Sequence, residues 1–312
     1  MHPALSLVFL TTLIGVAQGL FLAVFAVDVA SRLGLSELPM PSFIVAGCLL
    51  SVLFAGLGLV ASFWHLGRPE RAWRAAAMWR TSWLSREVIA LPAFLASVVA
   101  YGIAYVTGSV WSGPLGLIAV MACIALFICT GMIYACLRFL QEWASPLTLV
   151  NYFLLGCASG FTFATLLASL LAPAYTEVLA TWAIGLTTVA LVVRAAMLAR
   201  NARLRPKSTV QSAIGVKHPN VQQKSQGAIG GSFNTREFMH GRTRAFLRSV
   251  KWVFLLLVFP LPAVLLWLGA VNGAAAVLAL AFVLQYVGLL AERWFFFAQA
   301  NHPQNLYYQT IS

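Results

Sequence analysis

Eight apolar stretches, each about as long as a bilayer's hydrocarbon layer is thick, constrain this chain more than anything else in it. They lie near residues 3–28, 42–64, 87–107, 114–138, 147–172, 177–199, 250–271 and 274–299. About 20 consecutive apolar residues suffice for a helix to cross. Inside hydrocarbon, only helices and closed barrels satisfy every backbone N–H and C=O. The expected fold is therefore all-α: a polytopic membrane protein of eight transmembrane helices, forming one integral-membrane domain over residues 1–312. Composition agrees, with 9% charged residues against roughly 25% in soluble domains. The first stretch lacks a basic leader and a small-residue cleavage site, so it is expected to remain as a span rather than to be removed as a signal peptide.

The formal net charge is +12, which invites a nucleic-acid reading until each charge is placed. If the eight spans alternate, every Lys and Arg except Arg32 falls on the side that holds both chain ends. Short basic loops stay in the cytoplasm, so the expected topology is N-in and C-in, in a bacterial cytoplasmic (inner) membrane. Basicity is then topology, and no nucleic acid is expected as a partner. The same face suits an acidic partner or anionic membrane lipid.

Other classes fall away on similar grounds. The five cysteines, Cys48, Cys123, Cys129, Cys136 and Cys157, lie within or at the ends of spans and form no CxxC pair, so they read as small buried apolar residues. Haem between spans needs axial ligands inside them. His2, His65, His218, His240 and His302 all lie at span ends or in loops, so neither haem nor metal is expected in this chain. A transporter would show a polar midplane site in broken helices. Asp28, Arg138, Arg194, Glu292 and Arg293 read as lying near span ends, and Gln18, Asn151 and Gln285 as helix-to-helix hydrogen bonders. Pro260 and Pro262 could break the seventh span, which keeps the transporter as a rival.

One connection concentrates what the spans lack. "HLGRPERAWRAAAMWRTSWLSRE", residues 65–87, holds five arginines, three tryptophans, a histidine and two glutamates. Singly, each has a structural reading. His65 suits a helix C-terminus before the terminator Gly67, Ser85 is a natural N-cap, and Glu87 suits the first turn that follows. Arg and Trp are ordinary interface anchors. "RPERAWRAAAMWR" has Pro at a helix start and Glu70 four residues before Arg74, which predicts a short surface helix. Together, His65 and Glu87 with Arg71, Arg74, Trp79 and Trp83 offer a titratable imidazole, a carboxylate, fixed cations and flat rings at the hydrocarbon boundary. A quinone needs such groups for its carbonyl oxygens, its protons and its ring. An anionic-lipid surface or a partner-docking surface fits the same residues, and the composition alone does not choose.

The long loop between helices six and seven, residues 201–249, is too polar to bury a core of its own. Within it "GGSFNTREFMHG" interleaves Phe233 and Phe238 with Arg236, which suits a segment that orders against another protein. A plain linker also fits.

"HLGRPERAW", "SWLSREVI", "CTGMIYACLRFLQEW", "SFNTREF" and the closing "AERWFFFAQANHPQNLYYQ" resemble the membrane-anchor subunits of the dimethyl sulfoxide reductase family. The likeness is to the branch found in membrane-bound sulfite dehydrogenases (quinone). The resemblance runs over all eight spans, and "HLGxP" with "LSxE" is its most specific part. It implies an anchor without metal that holds a molybdopterin catalytic subunit and an iron–sulfur electron-transfer subunit to the membrane and exchanges electrons with ubiquinone or menaquinone. It also implies that His65 and Glu87 are the quinone-site residues. Arg71, Arg74, Trp79 and Trp83 join them by nearness in sequence. Arg68, Phe233, Arg236 and Phe238 are the expected docking residues. The basic face bearing "HLGRP" puts the partners in the cytoplasm, which favours sulfite oxidation over an anchor for a sulfoxide, polysulfide or tetrathionate reductase. A passive scaffold is the remaining alternative.

Overall fold

The computed structural model describes residues 4–36, 40–63, 68–205, 209–221 and 244–300. The apolar stretches become helices α1 (Leu5–Arg32), α2 (Pro41–Ser62), α3 (Trp83–Val106), α4 (Ser112–Ala135), α5 (Pro146–Leu171) and α6 (Thr176–Ala202). A one-turn helix α7 (Val210–Ile214) follows, then a seventh span in two pieces, α8 (Arg244–Val258) and α9 (Pro260–Val271), and finally α10 (Ala275–Ala298). Eight spans are thus long and apolar enough to cross a membrane, and no strand occurs among the described residues. An even number of crossings returns the described chain to the end where it began. That end carries Glu87; the opposite end carries Asp28.

Helices in lipid gain little from hydrophobic burial against each other, so close approach and interhelical hydrogen bonds must hold them. The centre of the bundle follows that rule. α1 and α5 cross through two small-residue pairs, Gly15 with Gly19 and Gly156 with Gly160. A Cβ added at Gly19 would lie 2.1 Å from the Gly156 carbonyl oxygen, and one at Gly160 would lie 2.1 Å from the backbone of Gly19 and Leu20. Around this pair, α2 lies along α1, α6 along α5, α3 along α4, and α10 packs on α5 and α8. Gln18 of α1 donates to the Cys123 carbonyl of α4 at 2.9 Å.

The seventh span breaks at Phe259, whose φ of −112° and ψ of −79° leave the helical path just before Pro260. Pro262 has no N–H to give the Val258 carbonyl four residues back. Gln285 of α10 fills that role, donating to Val258 at 3.2 Å and to Thr187 Oγ1 of α6 at 3.3 Å. The expected break is thus a capped kink. Asn151 bonds mainly its own helix, at the Leu147 carbonyl 2.8 Å away, and reaches α6 through the sulfur of Met197. Four of the five cysteines are buried as expected, but Cys136 is exposed, because α4 ends at Ala135 and leaves it in the cap beyond the packed turns.

At the end opposite Glu87, Asp28 and Arg32 balance each other. Arg32 Nε donates to both carboxylate oxygens of Asp28 at 2.9 Å. Tyr101 of α3 donates to Asp28 Oδ2 at 2.8 Å, and Arg32 reaches Ser112 of α4 at 3.0 Å. Asp28 is buried while Arg32 is 39% exposed, so the carboxylate is satisfied inside the bundle by a cation that keeps access to the surface.

Candidate functional site

The connection from α2 to α3 is a 3-10 helix over Pro69–Met78, not an α-helix. Three residues per turn eclipse positions i and i+3, so the expected Glu70–Arg74 partnership does not form. Glu70 instead meets Arg71 at 3.8 Å. Arg68 is exposed at the start of this segment. Arg74 stands over its neighbour Trp73, 5.5 Å from the ring centre, and Arg80 over Trp79 at 5.4 Å. Trp73 and Trp79 both face outward, at 70% and 52% exposure, where interface tryptophans are expected.

α3 starts earlier than the sequence suggests. Ser82 is its N-cap, accepting from the Ser85 backbone N–H, and Ser85 is buried one turn inside. Both serines are good caps by type; the shorter turn after Trp79 lets the first of them take the position. Arg86 then reaches back across the turn. Its Nε donates to the Trp79 carbonyl at 2.9 Å, its Nη2 to the Arg80 carbonyl at 2.8 Å, and its guanidinium lies over Trp83 at 4.2 Å. The Trp79 backbone and the Trp83 ring are therefore tied to one guanidinium, on a residue that nothing in its sequence context sets apart from the other arginines of the hairpin.

Glu87, next along, turns inward. Its carboxylate accepts a hydrogen bond from Thr130 Oγ1 of α4. One turn beyond Thr130, Tyr134 enters an aromatic cluster with Trp143, Tyr152, Phe296 and Phe297. A carboxylate at the membrane boundary is thus held by a hydroxyl instead of a guanidinium, which leaves lone pairs for another donor. Arg71 and Arg74 stay on the 3-10 helix, and no ion pair joins them to Glu87 among the described residues. His65, Phe233, Arg236 and Phe238 lie outside the described residues.

A second polar group at this end joins residues that the sequence suggested only singly. Arg194 of α6 pairs with Glu292 of α10 at 2.7 Å, and Arg293 stands 3.8 Å from the other oxygen of Glu292. The three side chains are at most 5% exposed. Arg293 stacks on Tyr152 of α5, 3.6 Å from the ring centre. These residues were expected near span ends, but Arg194 lies eight residues before the end of α6, about 12 Å at the helical rise. Moreover, the α4–α5 connector closes over them. Leu140 and Trp143 are buried. Trp143 donates to the Phe296 carbonyl at 2.9 Å, and Arg200 grips the connector through the Gln141 and Ala144 carbonyls.

The geometry therefore consists of eight spans, a cation-and-ring hairpin at one end, and an inward carboxylate beside it. Comparison with known proteins agrees with this outline. The chain is 50% identical, over 327 aligned positions covering 100% of both proteins, to a protein of Allochromatium vinosum named as a sulfite dehydrogenase subunit. The family description "DMSO reductase anchor subunit (DmsC)" matches residues 1–308. With that match over nearly its whole length, the chain belongs to the DMSO reductase anchor subunit family and is a multi-pass membrane anchor of an oxidoreductase complex.

Proposed function

We propose that this anchor is the quinone-reducing subunit of a molybdopterin and iron–sulfur complex that oxidises sulfite on the cytoplasmic side. The observation that carries the reading is Glu87: an inward carboxylate at the membrane boundary, held by Thr130, directly beside the Trp79–Trp83–Arg86 knot. The sulfite assignment is supported by the name of the Allochromatium vinosum relative and by the basic face described above.

On the catalytic subunit, sulfite and water give sulfate, two electrons and two protons. Quinone takes up two electrons and two protons to become quinol. The electrons arrive through the iron–sulfur subunit docked over the hairpin. His65 and Glu87 bring the protons from the cytoplasmic side, and a positioned acid–base pair of this kind contributes about a hundredfold or more. Arg71 and Arg74 set a positive potential over the site, while Trp79 and Trp83 give flat apolar walls for the ring. Since protons and electrons enter from one side, the subunit moves no net charge across the membrane.

Replacing His65 by Ala and Glu87 by Gln in the whole complex tests this. Expected is intact assembly, unchanged sulfite oxidation with an artificial acceptor, and quinone reduction lowered by about a hundredfold. Quinone reduction that survives both changes removes the site. A complex that oxidises no sulfite with any acceptor removes the substrate assignment and leaves the anchor of a sulfoxide, polysulfide or tetrathionate reductase.

A further inference from the structure

The two helices that flank the hairpin leave a furrow between them near the Asp28 end. It has a volume of about 270 Å³ and is walled by Val45, Cys48 and Leu49 of α2 and by Val99, Gly102 and Ile103 of α3. Its floor is a close helix contact. A Cβ added at Gly102 would lie 3.4 Å from the Cys48 Cβ, and Cys48 is buried. Its rims face the membrane, with Leu49 66% and Ile103 60% exposed. Thr107 brings the one hydroxyl among the residues that line it.

The walls of the furrow belong to stripes that begin beside the proposed quinone site. Residues three and four apart share one face of a helix. On α2, the row Val45, Leu49 and Val52 continues through Gly56 to Phe63, two residues before His65 in the chain. On α3, Val99 continues back through Leu95 and Pro92 to Val88, next to Glu87. Between furrow and hairpin these stripes stay open to the membrane. Pro92 and Phe63 are exposed, and a Cβ added at Gly56 meets nothing within 4 Å. Val99 to Val106 lie about 18–28 Å from Glu87 along α3 at the helical rise. A quinone ring does not reach that far; a long isoprenoid tail does.

We propose that the furrow between α2 and α3 is a subsite for the isoprenoid tail of the quinone, which runs along these stripes from a head held at Glu87. The proposal rests on the quinone reading above. Lipid chains are as apolar as the furrow, so a tail that leaves them gains no hydrophobic free energy. Close packing against the walls is what binds it. A phospholipid acyl chain offers the same hydrocarbon, but a tail tied to a bound head meets the furrow at the high effective concentration of an intramolecular ligand. The furrow then selects for tail length, while the hairpin selects the ring.

The test uses the whole complex in proteoliposomes with two quinones of one ring type, one bearing a long isoprenoid tail and one a single isoprene unit. Val99→Trp fills the furrow from α3. It should raise the KM for the long-tailed quinone by about threefold or more, the equivalent of a handful of lost carbon contacts. The kcat and the KM for the short-tailed quinone should not change. Leu49→Trp fills the furrow from α2 and should do the same, whereas Met121→Trp, on the exposed face of α4, should change neither KM. An equal rise for both quinones, or none for the long-tailed one, overturns the subsite and leaves the quinone reading standing. If the unaltered complex reduces neither quinone, that reading falls and the subsite with it. Should the tryptophan variants fail to assemble, the unaltered complex decides. A photoreactive group at the far end of the tail should crosslink to residues 45–52 and 99–107. Crosslinks spread over the other lipid-facing helices overturn the subsite, as does equal labelling of the furrow by a phospholipid that carries the group on an acyl chain.

Discussion

Thr130 presents its hydroxyl to the Glu87 carboxylate, so the first turns of α3 and the last turns of α4 meet through a proton-bearing contact beside the arginine hairpin. A hydroxyl partner orients a carboxylate without neutralising it. The proposed proton exchange with quinone calls for a group held in this way.

Thr130→Val keeps the shape of the side chain and removes that donor. Hydrogen bonds to charged groups contribute about 1.5–3 kcal/mol, so quinone reduction by the complex is expected to fall at least about tenfold. Activity with an artificial acceptor should be unchanged, and steady-state assays with the two acceptors, run in parallel, measure the difference.

Arg86 ties the turn from Trp79 to Trp83 by two carbonyl contacts and one ring. Arg86→Ala should loosen that turn by about 2 kcal/mol, seen as faster hydrogen exchange over residues 79–86 while the rest of α3 stays protected. Arg86→Lys should behave almost as badly, because a single ammonium does not span both carbonyls.

Glycines separate cleanly by surroundings. Gly160→Ala forces a Cβ into the backbone of α1 and should cost several kcal/mol, beyond the about 1–3 kcal/mol typical of overpacking, with loss of folded protein in detergent. Gly56→Ala meets nothing within 4 Å and should be neutral or slightly stabilising, as Ala is the better helix former. Melting curves of the two variants give the comparison.

Gln285→Leu strips the Val258 carbonyl of its substitute donor and should destabilise by about 1–3 kcal/mol. Adding Pro262→Ala returns a backbone N–H to that carbonyl. The double variant should therefore recover most of the loss, and a double-mutant cycle should show coupling well above the about 0.5 kcal/mol found between independent sites.

Cys136 is the exposed cysteine of the five, and it lies at the Glu87 end. A membrane-impermeant maleimide should label the unaltered chain in inside-out vesicles and spare it in right-side-out ones. Labelling from the outer face would reverse the topology and move the proposed electron entry to the other side of the membrane.

The spans were legible because apolar length is a one-dimensional property, and the hairpin because charge is rare elsewhere. Glu87 stood out for the same reason. Its partner Thr130 did not, since nothing in a threonine among apolar residues says which helix it faces. The glycine pairs of α1 and α5 were written in the sequence as small residues four apart, yet their meeting depends on which spans become neighbours. The Arg194–Glu292–Arg293 group was misjudged for a physical reason. Depth was read from span ends, whereas α6 runs on to Ala202 and the connector with Leu140 and Trp143 covers that end. Ser85 yielded to Ser82 because two nearby capping residues compete and the geometry of the preceding turn chooses.

The backbone contact between α1 and α5 has a consequence for biogenesis. α1 is shaped to fit a helix made four spans later, so its glycine face lacks its partner in the meantime. Early helices must therefore be kept close together in the bilayer until the fifth arrives, and a truncation ending before residue 146 removes the template on which the first helix settles.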